Sequence, residues 1–541
     1  MLNFNYNINR FDIAATVGWT GRYENMNNIR VSTNGGLVTE NWFDLNASRY
    51  TPSSTLQRME LLKTGYMGTL SLGWDNYLFL ELTGRQERSS TLKDQSFFYP
   101  SANLSFLFTQ AFHMPSWWNY GKLRLSYGIV GNAPETYTAN IVYEQGSDNG
   151  FTWNTIPSSW GNADIRPEKK YEYEIGLESK FLNNRLGIDV SYYNNRVKDQ
   201  ILSTPQPSTS GVKNVLMNVG EVANHGWDIS ISATPILTRD FRWDLTANYG
   251  VYKNKVVKLA DGVPYLEILN SGGSGIKIQA VEGQPMGDIY AQVPQVNENG
   301  EYLVSDKGLY LNQTELQKVG NINPAGVGGL FNSFSYKNVF LDFSIDFRIG
   351  GDVINEMNQY ATAVGLTPES LKYRDTEHGG LSYYYPGDNN SSGIPVQVDP
   401  STGAGPNGEI IYHDGIILPG VVASTGERNT RIIPAGYYYN TTYNWGTEAE
   451  QLTYRHSVFD NSYVKLRELT IGYQFPEKII SKLGLGRLSV SVFGRNLFYF
   501  YKALKNYDAE SSVGTSWANQ ATVGSSTTAT RSFGVSLRAS F

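Results

Sequence analysis

Val339-Phe340-Leu341-Asp342-Phe343-Ser344-Ile345-Asp346-Phe347-Arg348-Ile349 alternates two chemistries residue by residue. Successive side chains of a β-strand point to opposite faces. Val339, Leu341, Phe343, Ile345, Phe347 and Ile349 therefore make one apolar face, while Asp342, Ser344, Asp346 and Arg348 lie on the other with Phe340. The C-terminal stretch repeats the pattern, with Phe533, Val535, Leu537, Ala539 and Phe541 set against Ser532, Gly534, Ser536, Arg538 and Ser540. So do Leu123, Leu125, Tyr127 and Ile129 against Lys122, Arg124, Ser126 and Gly128, and Leu186, Ile188, Val190 and Tyr192 against Gly187, Asp189, Ser191 and Tyr193. Similar runs occupy 11–19, 78–82, 173–177 and 243–251. Many of them are longer than the five or six residues usual in globular strands. Glycine, serine, aspartate and arginine on the second face suit a water-filled interior better than a sandwich core.

The spaces between the runs alternate in length. Short turns fall near Asn9-Arg10, Asp75-Asn76, Asn183-Asn184, 238–240 and Lys337-Asn338, with a longer one over 476–486. Long excursions fall near 24–57, 131–168, 197–221, 259–325, 351–461 and 501–529. Outer-membrane barrels keep short turns on one side of the membrane and long loops on the other. The expected fold is therefore all-β, an antiparallel transmembrane β-barrel with long extracellular loops. Walking back from Phe541 gives about fifteen strands, a partial barrel against the 22 of the plugged outer-membrane class. Trp19, Trp74, Tyr77, Trp117, Trp118, Trp243, Tyr473 and Phe475 lie near strand ends, where interfacial aromatic girdles form.

Bulk composition agrees. The 541 residues include 37 Tyr, 24 Phe and 54 Gly, with only 17% charged. A mean hydropathy of -0.36 fits a barrel, in which only every second strand residue is apolar. No stretch approaches the roughly 18 uncharged apolar residues of a membrane helix. A net charge of -6 argues against nucleic acid as a partner. The lack of cysteine excludes disulfide scaffolds and thiol chemistry. The first residues, Met1 to Tyr6, carry neither the basic nor the apolar region of a signal peptide and already read as a strand, which for an exported protein suggests a fragment.

Particular segments add a resemblance. The sequence DNSYVKLRELTIGYQFP at 460–476, followed by LSVSVFGRNLF at 488–498, resembles two late barrel strands of the SusC/RagA family of TonB-linked outer-membrane proteins. KLRLSYGIVGN at 122–132, IRPEK at 165–169, NVGEVANHGW at 218–227, EGQPMG at 282–287 and the stretch 329–351 are similar to further family segments in the same order. The resemblance spans essentially the whole chain, as the C-terminal part of such a barrel. It implies the outer membrane of a Bacteroidetes-type Gram-negative cell, lipid contact, a SusD-like lipoprotein lid, and uptake of large glycans, oligosaccharides or peptides. The implied energy source is the TonB–ExbB–ExbD complex. The family's plug, TonB box and first strands have no counterpart here, so the TonB contact is expected in an N-terminal part or partner.

Chemistry of the chain's own is not expected. His113, His225, His378, His413 and His456 fall outside metal-binding spacings, and no strand–helix Gly-x-Ser-x-Gly elbow appears. The segment Gln295-Val296-Asn297-Glu298-Asn299-Gly300 sits where the family often carries a calcium loop. It has too few carboxylates for that and reads as a turn, so no cofactor or metal is expected. Candidate substrate contacts are Trp153, Trp160, Tyr384, Tyr385, Asp388, Asn389, Tyr438 and Trp445, all in long loops. Aromatic faces stack on sugar rings, and Asn and Asp bond hydroxyl groups. The loop at 351–461 is the longest and the expected partner contact. Two rival readings make distinct predictions. A passive porin requires a closed, even-stranded barrel within this chain. A surface glycan-binding β protein requires its apolar faces to be covered.

Overall fold

The structure is a computed structural model that describes residues 1–93, 96–148, 151–271, 275–387, 393–444, 453–512, 514, 516–524 and 529–540. Fifteen strands form one sheet: β1 Leu2–Ile8, β2 Phe11–Leu37, β3 Ser48–Trp74, β4 Leu78–Ser89, β5 Ser96–Phe106, β6 Trp118–Asn132, β7 Glu168–Phe181, β8 Leu186–Lys198, β9 Glu221–Leu237, β10 Phe241–Lys258, β11 Gly326–Tyr336, β12 Val339–Ile349, β13 Tyr463–Gln474, β14 Arg487–Lys502 and β15 Ser532–Ser540. The order in the sheet is the order in the chain, beginning at β1 and ending at β15. The expected number of strands and their meander are thus both present. Phe541, read as a terminal aromatic, lies outside the described residues. No helix among the described residues is long and apolar enough to cross a membrane.

Turn chemistry sets the short ends. Asn9, Asp75, Asn76, Asn183 and Asn184 all have positive φ, which Asn and Asp adopt most readily after Gly. Two residues join β1 to β2 and β11 to β12. Lys337, in the second of these turns, also has φ 52. It is held there by a bond from its N–H to the Asp240 carbonyl, while the Asn338 side chain donates to the Gln474 carbonyl.

One expected excursion is different in kind. The stretch 24–57 is mostly strand, because β2 and β3 stay paired out to Leu37 and Ser48. Their neighbours stop earlier: β1 leaves β2 at Val17, and β4 leaves β3 at Lys63. A two-stranded ribbon therefore runs on beyond the sheet.

The chain forms two compact units, residues 1–229 with 253–264 and residues 230–252 with 265–541. In the first, the apolar strand faces are bare, and aromatic residues mark two levels on them. At the short-turn level Trp74 packs on Tyr77, and Trp117, Trp118 and Phe181 pack together. Trp19 pairs in register with Tyr66, and Tyr127 with Tyr173, and all four are exposed. Tyr66 lies eight residues along β3 from Trp74, and Tyr127 nine along β6 from Trp118. That is about 26–30 Å of strand, or about 20–23 Å of height at the tilt of barrel strands, close to the ~25 Å apolar band of an outer-membrane barrel. Trp19 thus sits at the far level rather than beside a short turn. On the opposite faces, polar groups satisfy one another. Arg124 grips Asp189 through both terminal nitrogens (3.1 and 2.6 Å) and lies 3.6 Å from Glu178.

In the second unit the strands are equally bare outside, with Phe533, Val535 and Leu537 at 74, 72 and 69% exposure. The apolar cores lie in the long connections instead. Ile276, Ile278, Ile289, Ile354, Tyr454 and Val458 form the largest, and Leu309, Ile416, Leu418 and Ile433 another.

Candidate functional site

The site grows from the 350–462 connection of the second unit. Gly350 and Gly351 turn the chain out of β12 at φ 68 and 79. A Cβ on Gly351 would meet the Ile322 carbonyl at 3.0 Å and the Arg348 guanidinium at 2.3 Å, so only glycine fits. Asp352–Ile354 then pairs antiparallel with Val458–Asp460, which closes the loop at its base. Helix α1 (Glu356–Ala363) follows directly. Asn355 caps it by accepting the Asn358 N–H at 3.0 Å, and Glu356 lies in the first turn, where the helix dipole favours an anion.

A second helix, α2 (Ala435–Tyr443), carries a row of tyrosines. Tyr439 donates its hydroxyl to the Glu369 carbonyl at 2.9 Å, and Tyr438 lies 5.1 Å from Tyr439, centroid to centroid. Tyr438 also packs on the core around Leu309 and Ile416. Burial pushes the phenols of Tyr439 and Tyr443 up to about 12, so both are neutral at physiological pH. Tyr443 stacks on His456 at 4.5 Å with the rings 17° from parallel. Burial, and then the nearby Arg455 cation, lower the His456 imidazole to about 4, so it too is uncharged near neutrality.

These rings wall a cavity of about 280 Å³ that is also lined by Asn358, Thr362, Glu369, Phe459 and the 503–506 stretch. Asn506 donates through its side-chain nitrogen to Asn358 Oδ1 at 3.0 Å and to Glu369 Oε2 at 3.3 Å. Thr362 spends its hydroxyl on the Asn358 carbonyl at 2.8 Å. Lys505 is exposed and makes no ion pair among the described residues.

The 503–506 wall belongs to a segment clamped onto β13. Glu510 takes Lys465 Nζ at 2.5 Å and both terminal nitrogens of Arg467 at 2.8 and 2.5 Å, while Arg467 Nε reaches Asp346 at 2.6 Å. The two cations hold the Glu510 carboxyl down at about 2. Tyr499 donates to Asp508 at 2.5 Å, Lys502 to the Tyr507 carbonyl at 2.6 Å, and Asn461 to the Ala509 carbonyl at 2.9 Å.

The residues singled out from sequence are dispersed. Trp153 is exposed on the hairpin Glu144–Asp148 and Phe151–Thr155, with its ring across Gly146. Trp160 is half-buried, edge-on to Tyr143 at 6.0 Å. Both lie in the first unit. In the second, Tyr384 is half-buried and paired with Val396. Tyr385 is 6% exposed, edge-on to Tyr383, and Tyr438 is packed as above. Asp388, Asn389 and Trp445 lie outside the described residues. In the 295–300 turn, Asn297 Oδ1 accepts the N–H groups of Asn299 and Glu301, so that side chain shapes the hairpin. Sequence reasoning missed the lining of the cavity. Its residues come from helix α1, Glu369, the end of helix α2, His456 with Phe459, and the 503–506 stretch, which share no sequence period.

Comparison with known proteins places these features in context. A family model described as "TonB dependent receptor-like, beta-barrel" matches residues 2–286, more than half of the chain. TonB-dependent receptor P3 of Formosa agariphila is 24% identical over 494 residues, covering 83% of this chain and 42% of its own length. TonB-dependent receptor SusC of Bacteroides thetaiotaomicron is 30% identical over 247 residues, 42% of this chain and 24% of its own length. The chain thus spans less than half the length of the curated relatives it matches. Among solved structures, the RagAB peptide transporter aligns with a TM-score of 0.65 at 18% identity, over 92% of this chain and 51% of that one, a likeness of fold.

Proposed function

Because the chain belongs to the TonB-dependent receptor β-barrel family, we propose that it is the C-terminal barrel portion of an energised importer for nutrients too large for porins. Barrels of this family sit in the outer membrane, and so does this chain. The observation that carries the reading is the fifteen-stranded meander with bare apolar faces, polar faces bonded among themselves, and the largest buried core lying in the long connections. Bare apolar faces agree with lipid contact and run against the glycan-binding alternative.

The sheet order ends in two edge strands, and unpaired strand edges are not tolerated in hydrocarbon. Relatives of about twice the length supply a natural completion, with the remaining strands, the plug and the TonB contact in the part this chain does not match. Oligosaccharides or peptides are the proposed cargo, supported by the resemblance to SusC and to a structure described as a peptide transporter. A SusD-like lipoprotein lid and the TonB–ExbB–ExbD complex are the proposed partners. The loop residues Trp153, Trp160, Tyr384, Tyr385, Asp388, Asn389, Tyr438 and Trp445 are proposed cargo contacts. Members of the family are receptors and transporters, and no catalytic step is assigned to any residue here.

Uptake of fluorescent oligosaccharides and oligopeptides by cells, with and without the gene and with and without a protonophore, tests the proposal. Uptake of one class is expected to need both the gene and the proton gradient. Gene-dependent uptake indifferent to the protonophore would leave a passive pore instead.

A further inference from the structure

The outward wall of the first unit carries a basic patch that cargo and lid leave unexplained. Strand alternation fixes its direction. Glu172 accepts the Asn195 amide at 3.1 Å on the polar face, so Lys169, Tyr171 and Tyr173 of β7 face out, with Lys198 and Arg196 beside them on β8. On β10, Val256 is fully buried, and Lys253 and Lys255 alternate with it on the exposed side. Lys169 and Lys198 stand directly opposite each other in register, four residues beyond the exposed Tyr173 and its partner Asn194. Lys198 lies 5.9 Å from the centre of the Tyr171 ring. The acids nearby have cations of their own: Glu221 holds Arg196 at 2.9 Å, Asp199 holds Arg166 at 3.4 Å, and Asp261 holds Lys258 at 3.4 Å. Lys169, Lys198, Lys253 and Lys255 make no ion pair among the described residues. Like charges directly opposite destabilise a sheet, so the Lys169–Lys198 pair calls for an anion from outside. Elsewhere the outward wall is different. The positions next beyond Trp19, Tyr66 and Tyr127 are Gly21, Thr64 and Ile129, all uncharged, and β4 contributes a lone Arg88.

We propose that this patch binds the phosphate of an outer-leaflet lipid headgroup, with Lys169 and Lys198 on either side of it and Lys253 and Lys255 extending the site across β9. The inference rests on the outer-membrane placement of the wall and is independent of the cargo. Position selects this occupant. The patch continues the bare apolar wall just past its exposed aromatic rings, the level at which headgroups lie. Four residues of strand amount to about 10 Å of height at the tilt of barrel strands, and a lysine stem can bring its ammonium back towards the bilayer over that distance. Charge selects it as well. A phosphate offers several acceptor oxygens to several ammonium groups at once, in hydrogen bonds about twice as strong as neutral ones. A single lysine at a membrane edge snorkels without a particular partner. Two that the register holds about 5 Å apart at their Cβ atoms gain from sharing one anion. From β7 to β10 the wall spans about 15 Å, so neighbouring headgroups fit side by side.

The test uses the native protein purified from outer membranes in a non-ionic detergent. Native mass spectrometry follows the binding of dioctanoyl phosphatidic acid, with dioctanoyl phosphatidylcholine and inorganic phosphate as controls. Phosphatidic acid should bind about 10-fold or more tighter than phosphatidylcholine. Each of Lys169→Gln, Lys198→Gln, Lys253→Gln and Lys255→Gln should weaken it about 5-fold, the share of one basic residue near a charged lipid surface, and all four together about 100-fold or more. Lys170→Gln, on the polar face and paired with Glu172 at 2.6 Å, should leave lipid binding unchanged. None of the four substituted side chains is buried, and the folded band in unheated gels checks that each variant keeps its barrel. Equal affinity for the two lipids, inorganic phosphate bound as tightly as phosphatidic acid, or a quadruple variant that binds like the native protein would each overturn the proposal. Such a result in a protein that still inserts into lipid vesicles refutes only this inference. Failure to insert into vesicles at all refutes the membrane reading beneath it.

Discussion

Replacing Glu510 by glutamine keeps its shape and removes its charge, and the consequence can be worked through. The carboxyl stands at about 2 instead of 4.5, held by Arg467 and Lys465. At 1.36 kcal/mol per pKa unit that is about 3.4 kcal/mol as an upper bound. The Glu510 and Arg467 side chains are 28 and 30% exposed, so solvent screening reduces the figure to about 1.5–2 kcal/mol. Lys465, at 2% exposure, would lose its only ion pair among the described residues and adds a desolvation penalty, bringing the total to about 2–3 kcal/mol. Local opening of the 503–512 segment should become roughly 30- to 150-fold more frequent, at 1.4 kcal/mol per factor of ten. Hydrogen exchange read by mass spectrometry should show this in 503–512, with β13 and β14 unchanged as internal controls. A pH arm checks the sign. A depressed carboxyl contributes stability that is complete above about 4.5 and fades as pH falls towards 2. Pepsin nicking of the segment, normalised to an unfolded substrate, should therefore rise from pH 5 to pH 2 in the native protein and stay flat in the variant. Equal exchange in both proteins would show that Asp508, Tyr507 and Ala509 hold the segment without the ion pairs.

Other perturbations reach separate parts of the molecule. Leu537→Arg places a charge on a bare apolar face and should cost about 2–4 kcal/mol near the bilayer midplane, whereas Ser536→Arg on the opposite face should cost little; the folded band in unheated gels reads both. Lys318→Met strips the partner from Asp288, whose side chain is fully buried and 2.7 Å from Lys318 Nζ. Lys318 is 43% exposed and Asn321 still donates to Asp288, so about 1–3 kcal/mol should be lost, seen as faster exchange in Asp288–Ala291 and its paired strand Ile276–Val281. Gly275→Ala drives a methyl into the Tyr454 ring, 1.9 Å away, and should destabilise the same core by about 1–3 kcal/mol, read by the same exchange measurement. Lys337→Gly relieves a positive φ and should stabilise the β11–β12 turn by about 1 kcal/mol, measured as a slower unfolding rate in urea.

How much of this could be read from sequence follows where bilayer and water meet. Within the bilayer, each strand has one face for lipid and one for water, so residues 339–349 and 533–540 announce themselves by alternation. Beyond it, the rule lapses. In the β2–β3 ribbon Asn25 and Asn27 share a face with Ile29 and Val31, while Glu24, Asn28 and Arg30 share the other with Met26, and the stretch reads as loop although it is strand. Both faces of that ribbon are wet, and nothing selects for contrast. The tyrosines at 383–385 and 437–439 were legible as aromatic clusters, but their direction was not. Tyr383 and Tyr385 turn inward on Tyr412 because the small sheet of Leu381–Tyr384 and Tyr412–Ile416 needs a core. The cavity was invisible for a related reason. Glu369, His456 and Lys505 meet through loop closure at Asp352–Ile354 and through the Glu510 clamp, neither of which leaves a periodic mark.

The placement of the cores in the connections has a consequence for inheritance. Lipid judges the membrane wall one residue at a time: any greasy side chain of tolerable size will serve, and any charge will not. Around Ile276 and Leu309, by contrast, residues are judged in groups, because each fills space left by its neighbours. Selection can therefore exchange whole loop assemblies, while the strands that carry them drift slowly within a simple alphabet.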